Sequence, residues 1–187
     1  KATSCPKPVQ EDVPIWVAAR SPITFDYAVQ NNCNIMSWPL TMPFGEAEKY
    51  RDQLAEAREK FPGHTGRFAM MRHTAIYENE DDRAASISAI RNVLGQFGNL
   101  MMKRGDVVNG FPDPIPLEEL EGNVRVDPQM LEENLMFGSP EQVVEKLKMY
   151  QDLGVDAFIY YASMGLDMER QKRSFKLFCD KVKPAFE

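Results

Sequence analysis

Val13–Leu40, VPIWVAARSPITFDYAVQNNCNIMSWPL, decides the fold. The apolar run Ile15-Trp16-Val17-Ala18-Ala19 ends in Arg20-Ser21-Pro22-Ile23-Thr24. A helical pattern follows, and a second apolar run closes on Ser37-Trp38. The order reads strand, turn, helix, strand. The turn lies where a strand's carboxyl end meets a helix's amino end, a place where α/β proteins hold phosphorylated cofactors.

The alternation continues on both sides of this stretch. The first strand spans about 15–19 and its helix about 22–30, with Phe25, Ala28 and Val29 on one face. Pro22 suits the first helical turn, where its missing N–H costs nothing. A second strand spans about 34–38, and residues 45–60 form an amphipathic helix with Tyr50, Leu54 and Ala57 inward. A third strand covers about 68–77 and a long helix about 81–103, weakened in its second half by Gly95 and Gly98. Residues 105–126 break the pattern with Pro112, Pro114 and Pro116, and segments this long are often lids or binding loops. A short helix over 128–134 precedes Gly138-Ser139-Pro140-Glu141-Gln142, a capping-box start to another helix. The last strand, 155–161, leads to a helix over about 166–182 with Phe175, Phe178 and Val182 as its apolar face.

About four strands, each followed by a helix, make a parallel α/β arrangement. Four such units are half of a (β/α)₈ TIM barrel, here with an irregular insertion before the last strand. An open flavodoxin-like sheet is the alternative. The excursions gathered at one face favour the half barrel, whose open strand edges are association hazards. A chain of 187 residues suits one domain over 1–187, with 105–126 as a lid-like insertion.

Composition narrows the partners. The formal charge is −6 and no basic stripe exists, which argues against nucleic acid. No apolar run is long enough to span a bilayer. The three cysteines, Cys5, Cys33 and Cys179, lack metal-site spacing and read as free thiols in a reducing compartment, the cytoplasm. Eleven methionines, among them Met70, Met71, Met101, Met102, Met130, Met136 and Met149, read as fillers of irregular core gaps, with a Met-lined pocket as the sharper alternative. The opening, KATSCPKPVQEDVP, begins without Met, shows no signal-peptide pattern and resembles a connecting loop, as in a fragment or processed chain.

Taken in order, the segments resemble bacterial luciferases and luciferase-like flavin monooxygenases. Val13–Leu40 resembles that family's fifth strand, its helix and its sixth strand, and Pro6-Lys7-Pro8-Val9-Gln10 its connecting loop. RHTAIYENEDD resembles the seventh strand and the helix start after it. FGSPEQVVEKLKMYQDLGVDAFIYYASMG resembles the capped helix and eighth strand, and Ser174–Phe186 the last helix. The resemblance implies the carboxyl-terminal half of a longer barrel, with the amino-terminal half missing. It implies reduced FMN as cofactor, dioxygen and a small organic molecule as substrates, a separate flavin reductase, and a dimer.

The resemblance also implies site residues. Ser21 and Thr24 match positions that contact the FMN phosphate, and helix-end N–H groups suit that task. From spacing alone Ser21 reads as a helix cap. Arg20 departs from the acidic residue of the luciferases themselves; it could bind phosphate bidentately or pair with a surface carboxylate. Trp38 and Ser37 would approach the flavin ring, with Ala18 and Ala19 beneath it; alone, Trp38 reads as a core aromatic. His64 and His73 read as satisfied structural histidines, Arg72 stays outside the site, and one of Tyr160 and Tyr161 faces inward. No metal site is expected, and no catalytic residue is assignable. G-x-G-x-x-G, P-loop and G-x-S-x-G motifs are absent. Two other readings remain: a deazaflavin-dependent oxidoreductase on the same scaffold, and a non-catalytic half-barrel module that binds flavin or assembles through its edges.

Overall fold

The computed structural model describes residues 5–102, 106–112, 115–120, 122–162 and 164–187. In chain order the first elements are β1 (Trp16–Ala18), α1 (Pro22–Gln30), β2 (Asn34–Ser37), α2 (Phe44–Lys60), β3 (Phe68–Ile76) and α3 (Glu80–Met102). A small hairpin of β4 (Val107–Val108) and β5 (Phe111–Pro112) and two 3₁₀ turns, Leu117–Leu120 and Val124–Val126, follow. The chain closes with α4 (Pro128–Asn134), β6 (Met136–Gly138), α5 (Pro140–Asp152), β7 (Ala157–Tyr161), α6 (Met168–Leu177), a π-helical turn over Phe178–Val182 and a 3₁₀ turn over Lys183–Phe186.

The main sheet is parallel throughout. β1 pairs with β2, β2 with β3, and β3 with β7 in the register Ala69↔Ala157 to His73↔Tyr161. Past that point the carboxyl half of β3 pairs with β6, Thr74 opposite Met136. The sheet with its alternating helices is the half barrel expected from the sequence, with five strands in place of about four. The fifth, β6, is only three residues long.

Side chains alternate across a strand, so the two sheet faces have different fates. Ile35, Phe68 and Met70 point to the helices and are buried with Phe25, Ala28, Tyr50, Leu54 and Val143. Their neighbours Met36 and Met71 remain half-buried, and Ala18 is exposed. The helices therefore cover one face, while the other is only partly covered: Met36 and Met71 are half-buried and Ala18 is exposed, but Ala69, His73 and Ala75 are buried. At the β1 edge Ile15 and Trp16 are exposed, as unpaired edge residues are.

Local signals act where they were read. Ser139 and Gln142 form the expected capping box at α5; the structure adds two caps not singled out in the sequence, Asp127 at α4 and Asp167 at α6, which accept from Met130 N and Arg170 N. Gly138 enters that box at φ +145°, and a Cβ there would lie 2.6 Å from Gln142 Oε1. Gly95 and Gly98 do not interrupt α3, which runs to Met102. Met70 and Met136 are core residues, whereas Met149 is 47% exposed and fills no gap. Met101 and Met102 have side chains outside the described residues.

The last helix differs from expectation. Phe175 is 53% exposed, although Val182 is fully buried and Phe178 half-buried. The π-helical turn after Leu177 explains this. Its wider turn shifts the helical phase, so residues before and after it no longer share one face.

Candidate active site

All the strands of the main sheet run parallel, so the segments after β1 and β2 emerge at one end of it. At the first, Ser21 is extended (φ −124°, ψ 152°) and stands at the N-cap of α1. Its hydroxyl makes no cap bond; Oγ lies 2.9 Å from Thr24 Oγ1 instead. The first turn of α1 carries no acidic residue. Exposed Arg20 donates from Nε to Tyr50 Oη at 3.3 Å. Two hydroxyls and a helix amino end with no acidic residue in its first turn make a set of donors that suits an anion, while the Arg20 guanidinium is turned to Tyr50, which also bonds Glu46. An FMN phosphate fits this donor set. Beside it, Ala19 is buried and Ala18 exposed, and small side chains permit close approach.

Ser37 is buried, and its Oγ donates to the Ala19 carbonyl at 2.7 Å. This bond ties the carboxyl end of β2 to that of β1. Ser37→Ala is expected to lose about 1 kcal/mol of stability, read as a lowered urea midpoint at unchanged m-value.

Trp38 belongs to an aromatic cluster. Its ring meets His73 edge-on with centroids 5.6 Å apart and Tyr161 at 5.4 Å and 89°. His73 stacks on Tyr161 at 4.5 Å. These rings border an open cavity of about 290 Å³, lined also by Val93, Leu94 and Phe97 of α3 and by Leu40 and Thr41. Larger clefts exist: one between α4 and α5 (about 410 Å³) bordered by Glu132, Glu133, Glu145 and Lys146, and one near the chain's carboxyl end (about 370 Å³). Neither is built from the strand ends after β1 and β2, and the smaller cavity is the one at the site.

The histidines part company. His64 is satisfied as expected, with Nε2 2.8 Å from the Cys33 carbonyl and Nδ1 accepting from Arg58 Nε at 3.1 Å. His73 is 3% exposed, yet its Nδ1 has no hydrogen-bond partner among the described residues; Trp38 Nε1 is in the same condition. Burial, and secondarily the Arg72 charge, pushes the His73 pKa down to about 4. The folded protein therefore binds this proton less readily than the unfolded chain. Stability from this residue is complete above pH 6.5 and falls as pH drops toward 4, by up to about 3 kcal/mol. His73→Phe is expected to flatten that part of the pH–stability curve, as followed by urea unfolding between pH 7 and 4.

Tyr161 is the inward member of its pair. Tyr160 points to the helices, where its hydroxyl lies 2.6 Å from Ser174 Oγ. Arg72, left aside in the sequence reading, belongs to the support of the site. It is fully buried and has no carboxylate partner among the described residues. Nε donates to Tyr150 Oη at 2.8 Å, and Nη1 donates to the carbonyls of Leu40 (3.0 Å) and Met42 (2.8 Å). Asn134 Nδ2 donates to the Thr41 carbonyl between them at 3.1 Å. Three successive carbonyls of the loop after Trp38 are thus held by side chains, around Leu40 at φ 56°. The signal in the sequence was a charged residue within a mostly apolar strand, FAMMRHTAI. No group of three or more His, Cys, Asp or Glu able to hold a metal occurs among the described residues. No helix among them is long and apolar enough to cross a membrane. Cys5, Cys33 and Cys179 are free.

A parallel half barrel with hydroxyl-bearing turns and an apolar cavity at the carboxyl ends of its strands has the layout of (β/α)₈ enzymes, whose active sites lie at that end. The luciferase-like monooxygenase model matches residues 1–157, and the chain belongs to that family. It is 31% identical over 188 residues to the oxygenase component of a flavin-dependent trigonelline monooxygenase from Acinetobacter baylyi, covering all of this chain and 52% of that one. Among solved structures it resembles an F420-dependent secondary alcohol dehydrogenase in complex with an F420–acetone adduct (TM-score 0.65, 16% identity, 100% of this chain and 52% of that one). It also resembles the oxygenating constituent of 3,6-diketocamphane monooxygenase from Pseudomonas putida in complex with FMN (TM-score 0.59, 16% identity, 92% and 48%). The chain spans about half the length of these relatives.

Proposed function

We propose that the chain is the carboxyl half of a flavin-dependent monooxygenase that uses reduced FMN and dioxygen to oxygenate a small organic substrate. The observation that carries this reading is the placement of the Ser21–Thr24 cradle and the Trp38 cavity at one end of one parallel sheet, in a chain of this family. Ser21, Thr24 and Arg20 hold the phosphate. Ala18 and Ala19 lie under the ring system, the Ser37 bond fixes their backbone, and Trp38 stands beside the ring. Bound reduced flavin supplies the electrons that activate dioxygen. The chain's part is to bind, orient and exclude water. The 105–126 segment acts as a lid: β5 packs on α3, whose Val93, Leu94 and Phe97 wall the cavity. An amino-terminal half completes the barrel, a separate reductase supplies the flavin, and the enzyme works as a dimer in the cytoplasm.

The kinship in fold with the F420-dependent enzyme favours one other reading, hydride transfer with a deazaflavin on the same scaffold. The full-length chain, mixed anaerobically with reduced FMN or reduced deazaflavin, is expected to bind FMN and then to consume dioxygen. Binding of deazaflavin alone, with no oxygen uptake, would replace the first reading by the second.

A further inference from the structure

We propose that Lys146 of α5 is a positioning residue for the loop at the cavity mouth: its ammonium fixes the turn from α4 into β6, and that turn aims Asn134 at the Thr41 carbonyl. The inference goes beyond the function proposed above and does not depend on which cofactor binds.

The turn comes first. α4 has seven residues, too few to hold a helix without tertiary contacts. Its chain passes straight from Asn134 through extended Leu135 (φ −95°, ψ 170°) into β6. The last carbonyls of a helix have no partner within it. Lys146 Nζ supplies one: it donates to the Glu132 carbonyl, to that of Leu135 at 2.9 Å and to that of Phe137 at 2.8 Å. An ammonium has three N–H donors, and here three carbonyls take them. One group thus ties the helix end, its cap residue and the strand together. The Glu132 carboxylate is held separately, by Arg83 of α3 at 2.6 Å and by the Tyr77 hydroxyl at 2.5 Å. The ammonium is costly at this place. Burial pushes its pKa down to about 8, with the charge on Glu132 opposing this and that on Arg72 adding to it. An apolar chain of similar volume would fill the space without that cost. What only the ammonium supplies is the three-way grip.

The reach of the turn comes second. Asn134 lies inside the gripped segment, half-buried, and its Nδ2 donates to the Thr41 carbonyl at 3.1 Å. Thr41 and Leu40 line the cavity beside Trp38. A hydrogen bond of this length is lost when the turn moves by about half an ångström. Arg72 still holds the carbonyls on either side, those of Leu40 and Met42, so the loop then shifts without unfolding.

Amide exchange of the full-length protein, followed by mass spectrometry, tests this with Lys146→Met, Asn134→Leu and the double variant. The peptide over residues 38–43, with the Met42 N–H that donates to the Pro39 carbonyl, reads the loop, and the amides of α1 read global stability. Each single variant is expected to lower loop protection roughly three- to tenfold beyond any change in α1. The double variant is expected to match Asn134→Leu alone, because a residue that acts through Asn134 then has nothing left to act on. Losses that add in the double variant overturn the proposal, since Lys146 then supports the loop by another route. Unchanged loop protection in Asn134→Leu overturns it as well, and that measurement stands even where Lys146→Met fails to fold. No flavin enters the experiment, so its outcome is separate from that of the monooxygenase reading.

Discussion

Arg72→Met is expected to lower stability by about 3 kcal/mol and to loosen the segment after Trp38. Methionine keeps much of the volume, so the cavity contribution is small. What is lost is the donor to two loop carbonyls and the Tyr150 hydroxyl. A buried acceptor left alone, as Tyr150 Oη would be, costs about 1–3 kcal/mol, and the part-buried Leu40 and Met42 carbonyls less. Against this stands relief from burying an unpaired guanidinium, since removing a buried charge is favourable when nothing else is left unpaired. Here three acceptors are left, so the loss wins. Urea unfolding reads the stability, and amide exchange at Leu40 and Thr41 reads the loop. An Arg72→Met chain within 0.5 kcal/mol of wild type would show that the loop carbonyls find other partners. Arg72→Lys keeps the charge but presents one ammonium in place of a planar fork, and it is expected to fall between the two.

The second large effect separates a phosphate cradle from an ordinary helix cap. Ser21→Asp is expected to weaken FMN binding by about a hundredfold in the full-length chain. Bringing a carboxylate against a phosphate costs several kcal/mol, and about 3 kcal/mol is a hundredfold in affinity. The same substitution is favourable to α1 itself. Aspartate is a good N-cap and its charge opposes the positive helix end, worth about 0.5–1 kcal/mol. A pure capping role for Ser21 therefore predicts equal or higher stability with unchanged flavin affinity. Fluorescence titration with oxidised FMN, next to thermal unfolding of the free protein, distinguishes the two outcomes. Unchanged affinity would move the phosphate away from Ser21 and Thr24.

What could be read from the sequence was what local chemistry decides. The start of α5 at Ser139-Pro140 was legible because a capping box acts within four residues. The existence of β1 and β2 followed from two apolar runs, about 15–19 and 34–38, on either side of a helical pattern. The strand β6 was hidden because Met136–Gly138 is three buried residues wedged between two helices, too short for any periodicity. The phase of α6 was misread because a π turn leaves no trace in a 3.6-residue pattern. At the site, Ser21, Thr24 and Trp38 stood out through their place at strand ends. His73 and Arg72 did not, since adjacent strand residues serve opposite faces. One borders the cavity and the other holds its loop, and that division exists only once β3 lies between β2 and β7.

The two tryptophans give the fold a pair of optical reporters with separate subjects. Trp16 stands on the free margin of β1, 42% exposed, and Trp38 on the rim of the cavity. A strand laid against β1 would dehydrate the first indole and shift its emission to the blue. A flavin or aromatic guest would quench the second without moving the first. With Trp16→Phe and Trp38→Phe, closure of the barrel and occupation of its mouth can be timed one against the other in a single protein.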